Sequence, residues 1–235
     1  MHRRKFIQNS ALAATGMAML PSFLSSYKKE DLIIGHNNKR YRVDTNWGKL
    51  DFERYPVKDC HEMVQDSQGR IILLTNETKN NVIIYDKKGK LLTTWGSEYP
   101  GAHGLTLFNE NGAEVLFICD NNRHQVIKTT LDGRVLMTLD YPKETGQYTK
   151  AEEYIPTETA IAPNGDIYVA DGYGKDFVIQ YNSKGEYIRH FGGRGDTDAH
   201  LLNAHGVCMD FRYPEHPCVI VTSRQQNAFK RYTME

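Results

Sequence analysis

The 235 residues carry 29 Lys plus Arg against 29 Asp plus Glu, a formal net charge of zero. That balance excludes a nucleic-acid binder, whose phosphate contacts require clustered positive charge. The length suits one or two domains around one sizeable core, and 14 Tyr with 9 Phe and 19 Gly favour strands and turns over helices.

Residues 1–26 read as an export signal and stand outside the fold. Arg3-Arg4-Lys5-Phe6-Ile7 precedes an apolar run from Ala11 to Leu24, fourteen residues long. A membrane-spanning helix needs about 20. The arginine pair points to a twin-arginine signal, with an ordinary secretory leader as the alternative. Either places the mature chain in the periplasm or outside the cell, with no membrane span. The next segment, 27–55, contains Lys39-Arg-Tyr-Arg-Val-Asp44, which reads as a strand able to close a ring of sheets.

From residue 56 onward the chain repeats itself. The first unit runs from Pro56 to Gly96, the second from Pro100 to Leu136, the third from Pro156 to Gly192 and the fourth from Asn203 to Tyr232. Each unit reads strand, turn, strand, loop, strand, turn, strand. Short β-branched and aromatic runs are broken by Lys88-Gly89, Asp132-Gly133, Asn164-Gly165 and Lys184-Gly185, dipeptides that tolerate the positive φ of tight hairpins. Four antiparallel strands repeated radially make the blades of a β-propeller, so the fold class is all-β. The fourth unit lacks its outermost strand. Lys143–Glu153, rich in Lys, Glu and Tyr, reads as a surface insertion. Cys60, Cys119, Cys208 and Cys218 have no metal-finger spacing, and their apolar surroundings suggest buried, unpaired thiols. Four cysteines nevertheless allow three disulfide connectivities.

One position recurs when the units are aligned on their first, innermost strands: His61, His103, Glu158 and His205. The start of each innermost strand faces one mouth of a propeller channel, so these side chains are expected to converge on the axis. Imidazoles and a carboxylate gathered there suit a zinc-like ion. The alternative is a polar channel lining bonded to water. A second recurring position follows the second strand, at Asn76-Glu77, Asp120-Asn121, Asp171-Gly-Tyr173 and Ser223-Arg224. Tyr173 and Arg224 are the candidate reactive groups there, while Asp120 and Asp171 read as turn caps.

The run Gly165-Asp-Ile-Tyr-Val-Ala-Asp171 resembles the core of an NHL repeat, and the resemblance covers 56–235. It implies a six-bladed propeller of which about four blades are present, an incomplete ring in a truncated chain. Within that group the sequence is most similar to the peptidyl-α-hydroxyglycine α-amidating lyases, which release an amide and glyoxylate. His103-Gly-Leu and His205 match two zinc-ligand motifs, Asp171-Gly-Tyr173 matches the loop of the catalytic tyrosine, and Arg224 falls on an active-site arginine. Leu105, through its carbonyl, matches a structural calcium contact. The resemblance thus implies Zn and Ca as cofactors, and a small-molecule or peptide substrate. The chain departs from the pattern in lacking the last-blade histidine and a first-blade arginine, and in carrying His61. The competing expectation is a non-catalytic propeller whose rim binds a peptide, glycan or protein through Tyr141, Tyr148 and Tyr154. A third is a pseudo-enzyme without activity.

Overall fold

The structure, a computed structural model, describes residues 32–234. The expected export signal at 1–26 lies outside these residues. Two units divide the chain at residue 44. In the first, β1 (Leu32–His36) and β2 (Lys39–Val43) pair antiparallel as a hairpin. Asn37, at φ 51°, supplies the left-handed turn. The strand expected at Lys39–Asp44 is therefore present, with β1 as its partner.

The second unit holds four sheets. Blade 1 comprises β3 (Glu62–Gln65), β4 (Ile71–Leu74), β5 (Val82–Tyr85) and β6 (Leu91–Trp95). Blade 2 comprises β7 (Ala102–Glu110), β8 (Ala113–Asp120), β9 (Gln125–Thr130) and β10 (Val135–Leu139). Blade 3 comprises β11 (Glu158–Ile161), β12 (Ile167–Ala170), β13 (Phe177–Tyr181) and β14 (Tyr187–Gly192). Blade 4 has three strands, β15 (Ala204–Asp210), β16 (Cys218–Ser223) and β17 (Ala228–Thr233). All neighbours are antiparallel, in simple meander order. The Asn-Gly and Lys-Gly breaks fall at the hairpins, with Gly165 at φ 86° and Gly185 at φ 82°.

The middle strands are apolar runs such as Val82–Tyr85 and Ile167–Ala170, and successive side chains point to opposite faces, so one face of a sheet packs on the preceding blade and the other on the following one. Ile72, Leu74 and Val82 of blade 1 meet Leu105, Leu116 and Ile118 of blade 2. Phe117, Cys119 and Val126 of blade 2 meet Ile167, Val169 and Ile179 of blade 3. Tyr168, Ala170 and Val178 of blade 3 meet Ala204, Val219 and Val221 of blade 4. Each fully buried Ile or Leu contributes roughly 1.5–3 kcal/mol of transfer free energy. Ahead of blade 1, the Trp47 indole N–H donates to the Lys87 carbonyl at 3.2 Å and its ring packs 5.5 Å from Tyr85.

Two expectations are corrected. The insertion runs over the surface through Lys143, Glu144, Lys150 and Glu152, as expected, but the rim tyrosines do not: Tyr148 and the adjoining Tyr154 are 5% and 0% exposed and join the cluster between blades 2 and 3. The Tyr148 hydroxyl donates to Asp171 Oδ2 at 2.6 Å, an anchor that composition does not reveal. The cysteines are all unpaired, but only Cys119 and Cys218 are buried; Cys60 and Cys208 are exposed.

Candidate functional site

The innermost strands β3, β7, β11 and β15 lie side by side, which brings their first residues together. Strand register identifies equivalent positions in the four sheets, because Leu74, Cys119, Ala170 and Thr222 pair with Val82, Val126, Val178 and Phe229 respectively. Opposite Leu74 stands Glu62, and opposite Ala170 stands Glu158, each in an unbroken ladder. In blades 2 and 4 the ladder is interrupted between Ala102 and Leu105 and between Ala204 and Val207. There, two residues stand against one, His103-Gly104 against Cys119 and His205-Gly206 against Thr222, the arrangement of a β-bulge. The residues facing Leu74, Cys119, Ala170 and Thr222 are thus Glu62, His103-Gly104, Glu158 and His205-Gly206. His61 stands one residue before Glu62, as His103 stands one residue before Gly104.

The bulges turn the imidazoles of His103 and His205 toward each other, with ring centroids 5.0 Å apart. His61 stacks on His103 at 4.3 Å and is itself exposed. Glu158 faces the same 230 Å³ cavity as these histidines, but its carboxylate is engaged elsewhere. Oε1 accepts the Thr159 amide at 2.8 Å and the Thr106 hydroxyl at 3.0 Å. Burial, and then the neighbouring Glu62 carboxyl, push the Glu158 carboxyl well above its usual range. The Glu158 carboxyl therefore keeps its proton to higher pH than a free carboxyl does. Glu62 Oε2 accepts the amide of Leu105 at 3.3 Å, while the Leu105 side chain lies in the core.

Tyr173 comes from the loop after β12. Its phenol oxygen is 2.8 Å from His205 Nε2 and 3.3 Å from His103 Nε2. His103 Nδ1 is 2.9 Å from the Thr157 carbonyl, which can only accept, so Nδ1 carries the proton and Nε2 presents a lone pair. The assignment that satisfies every partner runs from His205 Nε2–H to the Tyr173 oxygen, and from the Tyr173 hydroxyl to His103 Nε2. Both imidazoles are held neutral near pH 7. Burial is the main cause at each, and Arg224 with the neighbouring histidines adds to it, bringing His205 down to about 4.

Arg224 opens a short 3₁₀ turn after β16, and its guanidinium carbon lies 5.6 Å over the Tyr173 ring. A 420 Å³ cleft beside it is lined by His205, Ser223, Arg224 and Phe229. Asp120 and Asp171 are loop caps, as expected. Asp120 Oδ1 accepts the amides of Gly101, Asn122 and Arg123 at 2.8–3.2 Å. Asp171 accepts those of Ile155 and Lys175 at 2.7 and 2.6 Å.

Whether these residues suit zinc turns on the donors. Two neutral imidazoles, one with its tautomer fixed by a backbone carbonyl, are the ligand chemistry such an ion takes. Among the described residues no three His, Cys, Asp or Glu side chains are gathered as a ligand set. The residues present fit two ligand positions, and a third requires His61 to leave its stack or a donor from elsewhere. Glu62 and Thr157 were missed from sequence, because neither β-bulges nor backbone carbonyls leave a mark in residue type.

The class defined by these sheets and their shared mouth is an all-β, propeller-like fold. Among solved structures, the fold is similar to streptogramin B lyase, with TM-score 0.56, 12% identity and coverage of 76% of this chain and 53% of that one. It is also similar to a protein of unknown function from Bacteroides thetaiotaomicron, with TM-score 0.59, 15% identity and coverage of 83% and 50%. In sequence, the chain's curated homologues are peptidyl-α-hydroxyglycine α-amidating lyases. It is 29% identical over 156 residues to lyase 1 of Drosophila melanogaster, covering 65% of this chain and 26% of that protein. It is 30% identical over 156 residues to a probable lyase of Caenorhabditis elegans, covering 66% and 40%. The chain thus spans less than half the length of these relatives. No family model matches it.

Proposed function

We propose that this chain is an exported, lyase-like propeller acting on the terminal α-hydroxyglycine of a peptide, with Tyr173, His103, His205 and Arg224 as its reactive centre. The single observation that carries the reading is the Tyr173 phenol held between two neutral imidazoles and beneath a guanidinium. The names of the sequence relatives supply the substrate class.

Arg224 takes part in no salt bridge among the described residues, so its charge is available to the terminal carboxylate of such a substrate. Tyr173 then accepts the proton of the α-hydroxyl while passing its own toward the departing nitrogen. The C–O bond becomes a carbonyl, the C–N bond breaks, and the departing nitrogen takes up a proton, giving an amide and glyoxylate. His103 and His205, with His61 as the candidate third ligand, would hold zinc, which when bound supplies Lewis acidity to the hydroxyl oxygen. The likeness that names these ligands also implies calcium at the Leu105 carbonyl, where Glu62 and Glu158 bring hard oxygen donors into the neighbourhood.

The test is incubation of the purified chain with an N-acyl-α-hydroxyglycine, with and without added zinc, measuring glyoxylate. Zinc-dependent release that His205→Ala abolishes is the expected result. No glyoxylate above the spontaneous rate from zinc-loaded chain overturns the reading. Of the three tyrosines expected in a rim patch, Tyr148 and Tyr154 are buried and Tyr141 is half-buried.

A further inference from the structure

The two imidazoles sit on different blades, and the strand between them belongs to a third. Nothing in the β7 or β15 ladders fixes the distance from His103 to His205. Thr157, immediately before β11 and 0% exposed, touches both sides of that gap. Toward blade 2, its carbonyl accepts the His103 Nδ1 proton at 2.9 Å. Gly104 allows this approach, because a Cβ there would overlap the same carbonyl oxygen. Toward blade 4, its hydroxyl lies 3.0 Å from the carbonyl of Ala204, the residue preceding His205. The other acceptor in reach, the Ala170 carbonyl at 3.1 Å, already receives the Thr157 amide at 2.8 Å. The hydroxyl proton reaches both carbonyls, and the nearer one, on Ala204, lies across the blade boundary.

We infer that Thr157 is the positioning residue that sets the tautomer of His103 and ties the strand of His205 to it, so that both imidazoles meet Tyr173. The role rests on the reading of the mouth as a reactive centre, and its physical part holds with or without an ion. The carbonyl does half the work and cannot be removed by a side-chain change. The hydroxyl does the other half and can. A valine keeps the β-branched shape and loses the bond to Ala204; a serine keeps the bond and loses a methyl group.

Partners that orient a metal-binding histidine typically cost 10–100-fold in affinity or activity when removed. For Thr157→Val the expected result is zinc affinity weaker by about 10–100-fold in competition with a chelating dye, and kcat lower by a similar factor. KM should change little, because Arg224 still meets the carboxylate. Thr157→Ser should restore both. In the metal-free chain, nitrogen-15 spectra should show His103 as the Nδ1–H tautomer, and Thr157→Val should shift the His205 ring signals. Thr157→Ala gives the same loss of the hydroxyl if valine disturbs packing.

Unchanged zinc affinity and unchanged His205 signals in a folded Thr157→Val or Thr157→Ala chain overturn the inference. So does failure of serine to rescue. If the wild-type chain neither binds zinc nor releases glyoxylate, the proposed reaction fails, while the imidazole spectra still decide the positioning role.

Discussion

The Tyr173 phenol oxygen lies 2.8 Å from Nε2 of His205, although the two residues are 32 positions apart and on different blades. A proton on that oxygen is within reach of two imidazoles, and the loop carrying it is fastened from the opposite side. The Asn203 side-chain Nδ2–H donates to the Gly172 carbonyl at 2.6 Å. Tyr173→Phe keeps the ring under Arg224 and removes only the oxygen. Glyoxylate release is expected to fall by about 10²-fold, the low end for loss of a general acid–base group. Zinc content should stay at the wild-type level. Undiminished kcat in Tyr173→Phe would remove the phenol from the chemistry.

The depressed basicity of His205 has a definite sign in stability. Its pKa falls from about 6.5 in an unfolded chain to about 4 in the fold, chiefly through burial. Between these values the unfolded chain binds the proton and the folded one does not, so stability drops as pH falls from 6.5 toward 4. Urea midpoints of the metal-free chain across that window should decline less steeply for His205→Gln than for wild type. Parallel curves would mean that the imbalance lies elsewhere.

Tyr148→Phe tests the insertion. The lost hydroxyl leaves Asp171 buried with two amide donors where it had three partners. A cost of about 1–3 kcal/mol in urea denaturation is expected for this change. A cost within experimental error would show that the insertion is not fastened at this point.

The strands and blades were legible because hairpin chemistry is local: Asn164-Gly165 and Lys184-Gly185 mark their turns whatever surrounds them. Convergence of His103 and His205 was legible too, as a recurring position in repeated units. Its register was not. A β-bulge is invisible in composition, so the sequence does not show that Cys119 faces both His103 and Gly104 whereas Leu74 faces Glu62 alone. Nor could the fate of Tyr148 and Tyr154 be read, since polar neighbours such as Lys150 and Glu152 mask an inward-facing ring. The Thr157 link depends on two carbonyl groups, which carry no residue identity at all.

Blade 4 offers a further test. Val82, Val126 and Val178 occupy one equivalent position and are 0%, 1% and 0% exposed, whereas Phe229 at that position is 80% exposed. The side chain that each earlier blade turns onto its neighbour is here turned to solvent. Phe229→Lys should lower binding of an apolar fluorescent dye and reduce concentration-dependent association of the chain. The thermal midpoint should hold, because few contacts are lost. Unaltered dye binding would place the sticky surface elsewhere.

The alternation of single glutamate and His-Gly bulge has an engineering consequence. The module that can be added, removed or permuted without scrambling the mouth is a pair of adjacent sheets, one acidic and one basic. Excising a single inner sheet would set like beside like at the cut, carboxyl against carboxyl or imidazole against imidazole. Excising two adjacent sheets would return the same neighbours.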